Sequence, residues 1–519
     1  MGRQIHILWT DDEIDLLKPY VLFLEERDYR LSTAANGTDA IRMVKQHDFD
    51  LIFLDENMPG LSGLETLEEI KRIAPTVPVV MITKNEEEDI MDEALGSKIS
   101  DYLIKPVNPN QILLTIKKNI DTKRLVTEKA TSGYQSQFSQ IGMQINSADK
   151  FRDWVGIYSR LVYWEREFST SGSGGMDEVL RLQKTEANNE FARFIRSRYR
   201  SWFSGKAIDI PLMSHHLFRQ KVFPLLERGK VVVILIDNLR LDQWKVIEQE
   251  IGSLFRTEEE EVFCSILPTA TQYARNAMFA GMMPGEIAER YPRLWVDENE
   301  EGGKNIHEEE LCRIQMQRLG LGYSFNYEKV SNQRAGKKVL DNYSDLLNFD
   351  LNVLVYNFVD MLSHARTEME MIRELAFDES SYRSLVHSWF QHSYLYELVK
   401  QLARYNLKLV ITTDHGSVRV TNPVKVVGDR KTSVNLRYKQ GRNLNYPSRE
   451  VFDIDKPADV HLPMTNVTTR YIFALNNDYM VYPNNYNHFV NLYRNTFQHG
   501  GVSMEEMMIP VSILSPVGS

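Results

Sequence analysis

The sequence predicts an α/β protein with three parts: an N-terminal doubly wound domain, an α-helical connector and a C-terminal α/β domain. Three observations carry this prediction. In residues 1–121, short apolar runs alternate with amphipathic stretches of helical period, which is the pattern of a parallel sheet flanked by helices. In residues 122–225 those runs vanish, and charged and aromatic residues recur at helical spacing. From residue 226 to residue 519 the alternation of strands and helices returns.

The composition favours a soluble cytoplasmic protein. The 519 residues are 43% apolar and 25% charged, as in ordinary globular proteins. Only two cysteines occur, Cys264 and Cys312, which excludes a disulfide framework and a cysteine-based zinc finger. The N-terminus lacks the features of a signal peptide, and the longest apolar run, residues 231–236, is too short to cross a bilayer. We therefore expect a cytoplasmic location without membrane insertion.

The first domain has polar residues where its predicted strands end. Asp11 and Asp12 follow the first apolar run, Asp55 ends the third, Thr83 ends the fourth and Lys105 follows the fifth. In a doubly wound parallel sheet these positions meet at one edge, where ligands bind. The predicted strands are IHILW at 5–9, LSTA at 31–34, LIFLD at 51–55, VVMIT at 79–83 and DYLIK at 101–105.

The carboxylates of this edge predict a magnesium site. Three carboxylates that converge on one point repel one another unless a hard divalent cation lies between them. Mg²⁺ also binds phosphoryl oxygens, so Asp55 could attack a phosphoryl donor while Thr83 and Lys105 hold the transferred group. Ordinary strand-end caps are the alternative, which five matches in order disfavour.

The same residues resemble the receiver domain of two-component response regulators. The resemblance rests on DDE at 11–13, DENMPGLSGLE at 55–65, Thr83 and the Lys105–Pro106 pair. It implies that Asp55 accepts phosphate from a sensor histidine kinase, and that phosphorylation promotes a homodimer through the face that contains Lys105. The net charge of −10 and the lack of a basic recognition helix after this domain disfavour a DNA-binding regulator.

The connector, residues 122–225, is predicted to be a small helical bundle. The stretch STSGSGG at 169–175 predicts a flexible loop between its helices. An aromatic stripe at helical spacing is more often bundle core than a ligand site, and we expect it to be buried. This stripe comprises Trp154, Tyr158, Tyr163 and Trp164.

In the C-terminal domain, three apolar strands lead to carboxylates. VVVILI precedes Asp237, LNVLVYNFV precedes Asp360 and LKLVITT precedes Asp414. Open α/β sheets bind ligands at the carboxyl ends of their strands, so these three side chains are expected to converge.

Three histidines complete a candidate metal site. His364 lies one helical turn after Asp360, His415 follows Asp414 directly, and His499 precedes two glycines. Three carboxylates and three imidazoles form a mixed set suited to zinc or manganese, and they are too many for one tetrahedral ion. A two-metal centre would use them all.

Thr271 is the candidate nucleophile of this centre. SILPTATQYARNAMFAG at 265–281 predicts a turn followed by a helix, which places Thr271 near a helix N-terminus, where phosphate is favoured. A hydroxyl held by zinc also loses its proton more readily. The alternative is that Thr269 or Thr271 is only an N-cap.

The spacing Asp…Thr…DxxxH…DH…H resembles the alkaline phosphatase superfamily. PTATQYARNAMFAG and QHGGVSMEEMMIPV are similar to its PglZ branch, over about residues 226–515. The resemblance implies that Asp360, His364 and His499 hold one zinc ion. It also implies that Asp237, Asp414 and His415 hold the other, with Thr271 beside it as ligand and nucleophile.

The three parts together resemble response regulators of Bacteroidetes that are linked to type IX secretion. This resemblance implies a histidine kinase partner and a role in regulating protein secretion. Proteins of the secretion machinery and transcription regulators are further candidate partners.

The strongly basic stretch at 417–450 is the best indication of a substrate. It contains eight Lys or Arg and two acidic residues directly after His415. Tyr438 and Tyr446 could stack bases, and we expect a phosphodiester or oligonucleotide substrate, with a sulfate ester as another possibility. A solvated loop is the alternative. The cations predicted to bind substrate are Arg437, Lys439 and Arg442.

A different class of function stays open. The metals could be structural, and the last domain would then be a catalytically silent module that docks on a protein partner or dimerises when the receiver is phosphorylated. Replacing Thr271 separates the two hypotheses, because a lost nucleophile abolishes turnover and leaves the fold intact.

Overall fold

A computed structural model describes residues 4–75, 77–84, 99–171, 175–297, 300, 302–429 and 432–518. The chain forms two compact units, of which the first consists mainly of residues up to Gly133 and the second begins at Tyr134. Among the described residues, no helix is both long enough and apolar enough to span a membrane.

The first unit is a five-stranded parallel sheet with the strand order β2-β1-β3-β4-β5. Each of the five predicted strands is present, and the doubly wound prediction is confirmed. Because β1 and β3 are neighbours at the centre, the residues that follow them lie side by side. The strands are β1 (His6–Thr10), β2 (Arg30–Ala34), β3 (Leu51–Asp55), β4 (Val79–Thr83) and β5 (Asp101–Ile104), and the helices are α1 (Lys18–Glu25), α2 (Gly37–Gln46) and α3 (Gly63–Ile73).

Helix α3 begins directly against the end of β3. Ser62 caps it: the Glu65 backbone N–H donates to the Ser62 hydroxyl at 3.3 Å, and the Ser62 backbone N–H donates to the Glu65 carboxylate at 2.9 Å. A Cβ atom at Gly63 would collide with the carbonyl oxygen of Asp55. Glycine is therefore needed for the close approach that holds the Asp55 backbone in place.

Three long helices follow: α4 (Pro109–Ser147), α5 (Phe151–Ser171) and α6 (Asp177–Trp202). Of the predicted aromatic stripe, Trp154, Tyr158 and Trp164 are buried. Tyr163 is 49% exposed, so its prediction as core was wrong: it lies next to Trp164 and faces away from the helix packing. The predicted loop at 169–175 is shorter at its start, because α5 continues to Ser171, and residues 172–174 lie outside the described part.

The second unit is built on a six-stranded sheet with the order β7-β18-β10-β6-β9-β8. Strands β8, β9, β6 and β10 run parallel, while β18 is antiparallel to β10 and β7. The strands of this unit are β6 (Val231–Ile236), β7 (Phe255–Cys264), β8 (Phe325–Val330), β9 (Leu351–Tyr356), β10 (Lys408–Thr412), β11 (Val418–Arg419), β12 (Asn422–Lys425), β13 (Tyr438–Gly441), β14 (Val451–Ile454), β15 (Arg470–Ala474), β16 (Asp478–Val481), β17 (Phe497–Gln498) and β18 (Met508–Pro516).

Helices flank this sheet and carry part of the site. All residues of β6 and β9 are buried, as expected of central parallel strands. The helices are α7 (Leu241–Ile251), α8 (Thr271–Ala280), α9 (Pro284–Arg290), α10 (Glu308–Arg318), α11 (Gln333–Asp341), α12 (Tyr343–Leu346), α13 (Phe358–Glu368), α14 (Glu370–Leu375), α15 (Glu379–Gln391), α16 (Tyr394–Leu402), α17 (Tyr486–Tyr493) and α18 (Met504–Met507).

Strand β7 lies at one edge of the sheet and carries a row of four glutamates, residues 258–261, of which the first three are exposed and Glu261 is half-buried. Each has a lysine partner: Lys408 contacts Glu258 at 2.6 Å, Lys245 contacts Glu260 at 2.6 Å, and Lys221 contacts the other two at 2.5 Å. Charged residues on an edge strand discourage pairing with another strand.

A buried ion network joins helix α6 to the loops of the site. The Lys184 ammonium lies 3.1 Å from both Glu165 and Glu505, and the Asn188 amide donates to Glu505 at 2.9 Å. Glu505 in turn lies against Gly416, where a Cβ atom would collide with its carbonyl oxygen. The segment that follows His415 is thereby held in position.

Candidate active site and metal centres

The candidate site of the second unit lies at the carboxyl ends of its central strands. Asp237 directly follows β6, and Asp414 comes two residues after β10. Asp360 was predicted at a strand end, but it is the third residue of α13, because β9 already ends at Tyr356. Thr271 is the first residue of α8.

Asp237, Asp414 and His415 form one trio of potential metal ligands. Their ligand atoms lie within 4.8 Å of one another, and all three side chains are buried. The His415 Nε2 atom is 3.8 Å from the Asp237 carboxylate and 3.7 Å from the Asp414 carboxylate. His415 Nδ1 lies 3.2 Å from the Gly416 carbonyl oxygen, so a proton on Nδ1 leaves the Nε2 lone pair facing the carboxylates.

Asp360, His364 and His499 form the second trio, also with ligand atoms within 4.8 Å. His364 and His499 each place Nε2 3.5 Å from a different oxygen of Asp360. His499 Nδ1 lies 3.2 Å from the carbonyl oxygen of Thr269, which orients this ring in the same way. The His364 side chain is 61% exposed, whereas the first trio is closed to solvent.

The two trios are neighbours. The rings of His415 and His499 stack with centroids 4.2 Å apart. Asn238 links the trios, because its backbone N–H donates to Asp414 at 3.4 Å and its amide donates to Asp360 at 3.3 Å. Three carboxylates and three imidazoles in two adjacent groups fit zinc or manganese ions by the chemistry of the donors.

The Thr271 hydroxyl faces the first trio. Its Oγ1 atom is 3.1 Å from His415 Nε2 and 3.4 Å from Asp237. The N-cap of α8 is Ala270, so neither threonine of the predicted pair is the N-cap. Thr269 instead donates to the Gly501 carbonyl oxygen at 2.9 Å. Thr271 therefore lies at a helix N-terminus that no side chain caps, and beside a cluster of potential metal ligands.

Burial sets the protonation of this trio. Burial and the neighbouring Asp414 raise the pKa of Asp237 to about 6, although the Arg275 guanidinium acts against them. Burial, helped by the nearby His499, holds the pKa of His415 well below its ordinary value. His415 is therefore a neutral imidazole, which is the form that binds metals.

Arg275 is a member of the site that the sequence reasoning missed. Its guanidinium is fully buried, contacts Asp237, and lies 3.0 Å from Asp414 and 3.3 Å from Glu308. One signal was available: Arg275 lies four residues after Thr271, one turn along the otherwise mostly apolar helix α8. Asn238, with a left-handed φ of 65°, was also missed.

The predicted substrate cations Arg437 and Lys439 are buried, and their prediction was wrong. Arg437 pairs with Glu506, at 3.1 Å from Nε, and donates to the Leu475 carbonyl oxygen at 3.3 Å. The Lys439 ammonium lies 4.4 Å from the centre of a tyrosine ring, and its residue is 1% exposed. Both charges are used inside the fold. Arg442 is exposed, and residues 430 and 431 lie outside the described part.

The aromatic residues of the same stretch are not free to stack bases. Tyr438 is buried and lies against Gly500, where a Cβ atom would be 2.6 Å from its ring. Tyr446 is half-buried, packed at the edge of a small apolar cluster. The expectation that these rings form a base-stacking surface was therefore also wrong for Tyr438.

In the first unit, the predicted receiver residues converge. The Lys105 ammonium lies 2.8 Å from Asp11 and 2.9 Å from Asp55, and Thr83 ends the adjacent strand β4. Ligand atoms of Asp11, Asp12 and Asp55 lie within 4.8 Å of one another, a donor set that fits Mg²⁺. Burial and the nearby Asp11 raise the pKa of Asp55, although Lys105 acts against them.

Comparison with known families divides the chain into three matches. Residues 7–117 match the response regulator receiver domain, residues 124–203 the PorX response regulator linker domain, and residues 217–513 the BREX system PglZ alkaline phosphatase-like domain.

Individual similar proteins each match about a quarter of this chain. The transcriptional regulatory protein ZraR of Klebsiella oxytoca is 36% identical over 141 residues, which are 27% of this chain and 32% of that protein. The alginate biosynthesis transcriptional regulatory protein AlgB of Pseudomonas aeruginosa is 32% identical over 123 residues, covering 24% and 27%. This chain thus spans about a third of the length of these relatives. A solved CheY-like receiver domain protein from Methanospirillum hungatei is 27% identical, covers 23% of this chain and 96% of its own, and has a TM-score of 0.23.

Replacing Arg275 by methionine should destabilise the second unit by about 3–5 kcal/mol, because the buried carboxylates of Asp237, Asp414 and Glu308 lose their cation. Chemical denaturation of metal-stripped protein measures the change in the free energy of unfolding. Arg313→Met is the matched control, since its pair with Glu309 is exposed and should contribute less than about 1 kcal/mol. Equal effects of the two substitutions would contradict the role assigned to Arg275.

Proposed function

This chain belongs to the PglZ alkaline phosphatase-like family and is a PorX-type response regulator, and on that premise we propose that its second unit is a zinc-dependent phosphodiesterase controlled by phosphorylation of Asp55. One observation carries the catalytic part of the proposal. The Thr271 hydroxyl, at a helix N-terminus, lies within 3.4 Å of both His415 and Asp237, beside two trios of potential metal ligands.

The two trios would each hold one zinc ion. When bound, the ions would supply Lewis acidity that lowers the pKa of the nucleophile and stabilises the attacking and leaving oxygens. The first trio, Asp237, Asp414 and His415, would hold one ion, with Thr271 beside it. The second trio, Asp360, His364 and His499, would hold the other.

Thr271 would act as a covalent nucleophile. Its Oγ1 attacks phosphorus, the bond from phosphorus to the leaving ester oxygen breaks, and water then hydrolyses the phosphothreonine. The acceptor that faces its proton is Asp237 Oδ1, because a carboxylate oxygen keeps a second lone pair when it binds an ion, whereas the one acceptor nitrogen of His415 is assigned to the ion. The backbone N–H groups at the start of α8 would bind the phosphoryl oxygens.

Arg275 would keep the carboxylates of the site in position. It engages Asp237 through Oδ2 and leaves Oδ1 to face Thr271. A fixed cation beside the nucleophile also offsets part of the charge that a phosphate ester brings into a buried site.

A phosphodiester, including an oligonucleotide, is the substrate class that we propose. Arg437 and Lys439 do not support this proposal, because both are buried. Arg419 of the same basic stretch does support it. Its backbone pairs with Phe497, two residues before His499, and among the described residues its Nε atom has no hydrogen-bond partner. A half-buried guanidinium near the site suits a second phosphate of a chain.

The first unit would supply the control. A receiver domain implies a histidine kinase partner, and Asp55 is the proposed acceptor of its phosphate, with Asp11 and Asp12 as further Mg²⁺ ligands. Lys105 and Thr83 would bind the transferred phosphoryl group. We extend the resemblance in domain order to a role in regulating protein secretion, with a homodimer as the phosphorylated form.

The full chain saturated with zinc and then dialysed should retain about two ions per chain. His364→Ala and His415→Ala should each lose about one, because each removes a ligand of a different trio. Elemental analysis gives the metal content, and His488→Ala serves as the control because His488 belongs to neither trio. One ion or none in the wild type would contradict the two-metal proposal.

Thr271→Val should reduce turnover of bis-p-nitrophenyl phosphate and of short oligonucleotides by roughly three orders of magnitude or more, because it removes the nucleophilic oxygen and keeps the side-chain shape. Thr271→Ser keeps the hydroxyl and is the matched control. Turnover is followed by nitrophenolate release and by separation of oligonucleotide products.

Two results would overturn parts of this assignment. Full activity of Thr271→Val would make a water molecule the nucleophile. A zinc-loaded wild type that cleaves no phosphate or sulfate ester would favour the docking module, in which the metals only stabilise the fold.

Acetyl phosphate with Mg²⁺ should label the wild type and leave Asp55→Ala unlabelled, while the exposed Asp48→Ala control is labelled normally. Beryllofluoride, which mimics the phosphoryl group, should raise the molecular mass of the wild type, measured by analytical ultracentrifugation, and leave that of Asp55→Ala unchanged. Equal labelling of all three proteins would refute Asp55 as acceptor, and an unchanged mass would refute the dimer.

A further inference from the structure

A second cavity of the second unit lies at the opposite end of helix α8 from Thr271. It has a volume of about 390 Å³ and is bordered by Gly281 and Met282, which follow the last residue of the helix. A helix of this length spans about 15 Å, so the cavity is separate from the two metal trios. Its volume lies in the range of small-molecule sites.

The lining of this cavity carries a net positive charge and many N–H donors. It contains three arginines and three histidines but only one acidic residue, Glu286. Glu286 is already engaged, because it accepts the Met283 backbone N–H at 3.0 Å and lies 3.9 Å from one of the arginines. The basic residues are Arg219, Arg290, Arg318, His215, His216 and His461.

Several of these groups have no partner in the part of the chain that the structure describes. The Nδ1 atom of His215 is buried without a hydrogen-bond partner. The side chains of the half-buried His216 and of the exposed Arg219 and His461 form neither a described hydrogen bond nor a described ion pair. Buried polar atoms are nearly always satisfied, so the unpartnered Nδ1 atom of His215, on a cavity that three arginines also line, indicates a ligand.

A metal ion is not the ligand that fits. Three imidazoles could suggest one, but these histidines are not among the described groups whose ligand atoms lie within 4.8 Å of one another. Guanidinium and imidazole N–H groups instead suit an anion with several acceptor oxygens. Arg318 is held at the cavity because its guanidinium donates to the carbonyl oxygens of Ala280 at 2.8 Å and Gly281 at 3.3 Å, and its remaining N–H groups are available to an anion.

We propose that this cavity is a second anion site, which binds a phosphate group independently of the metal centre. The ligand is either free phosphate or the phosphate of a nucleoside 5′-monophosphate. The cavity offers more room than a bare phosphate needs, and Trp202 and Phe203 form an aromatic wall for an organic group. The proposal does not depend on turnover, because it concerns binding at residues outside both trios.

The test is calorimetric titration of the full chain in the presence of a chelator, so that the metal trios do not contribute. Inorganic phosphate and adenosine 5′-monophosphate are titrated separately. We expect one saturable site per chain. Arg219→Glu should lower the affinity for either ligand about tenfold or more, because it removes a charge-assisted contact. Arg293→Glu is the matched control, since it changes the net charge equally at an exposed arginine that does not line the cavity.

His216→Gln provides a second test that leaves the formal charge of the neutral form unchanged, and it should also weaken binding. Tighter binding of the nucleotide than of phosphate would identify a nucleotide site, and equal binding would identify a phosphate site. Absence of saturable binding at millimolar ligand would overturn the proposal. Equal weakening by Arg219→Glu and Arg293→Glu would overturn it too, because the effect would then be one of net charge.

Discussion

Buried carboxylates that meet at strand ends are the constraint on which both units depend. Like charges in a protein interior cost several kcal/mol unless a cation is fixed between them. The first unit meets this constraint with Lys105, which contacts both Asp11 and Asp55. The second meets it with Arg275, which joins Asp237 to Asp414. Strand β5 must therefore end where Lys105, which follows it, reaches the carboxylates of the first unit. Helix α8 must begin where Arg275 reaches those of the second unit.

In the second unit, the fixed cation also gives the two oxygens of one carboxylate different partners. Arg275 occupies Oδ2 of Asp414, while Oδ1 of the same group accepts the backbone N–H groups of Asn238 and His415. The carboxylate is thereby held by opposed contacts on its two oxygens. In this way the polypeptide sets the directions in which the remaining lone pairs point, before any ligand arrives.

Local sequence features were enough to find most of the candidate site. Strands that are buried on both faces appear as continuous apolar runs, so Asp237 and Asp414 stood out at their ends, and the four-residue spacing of Asp360 and His364 gave their common face. Long-range packing was not accessible in this way. The partners of Arg275 follow β6 and β10 and begin α10. Arg437 looked like a surface cation because its partner Glu506 lies 69 residues away. Charge in a sequence does not reveal burial.

The acidic edge of β7 limits how this protein can assemble. Two copies that joined their sheets through this edge would bring one row of glutamates against another, and like charges directly opposite each other on adjacent strands are destabilising. Continuous growth of a shared sheet into a fibre is therefore disfavoured at this edge.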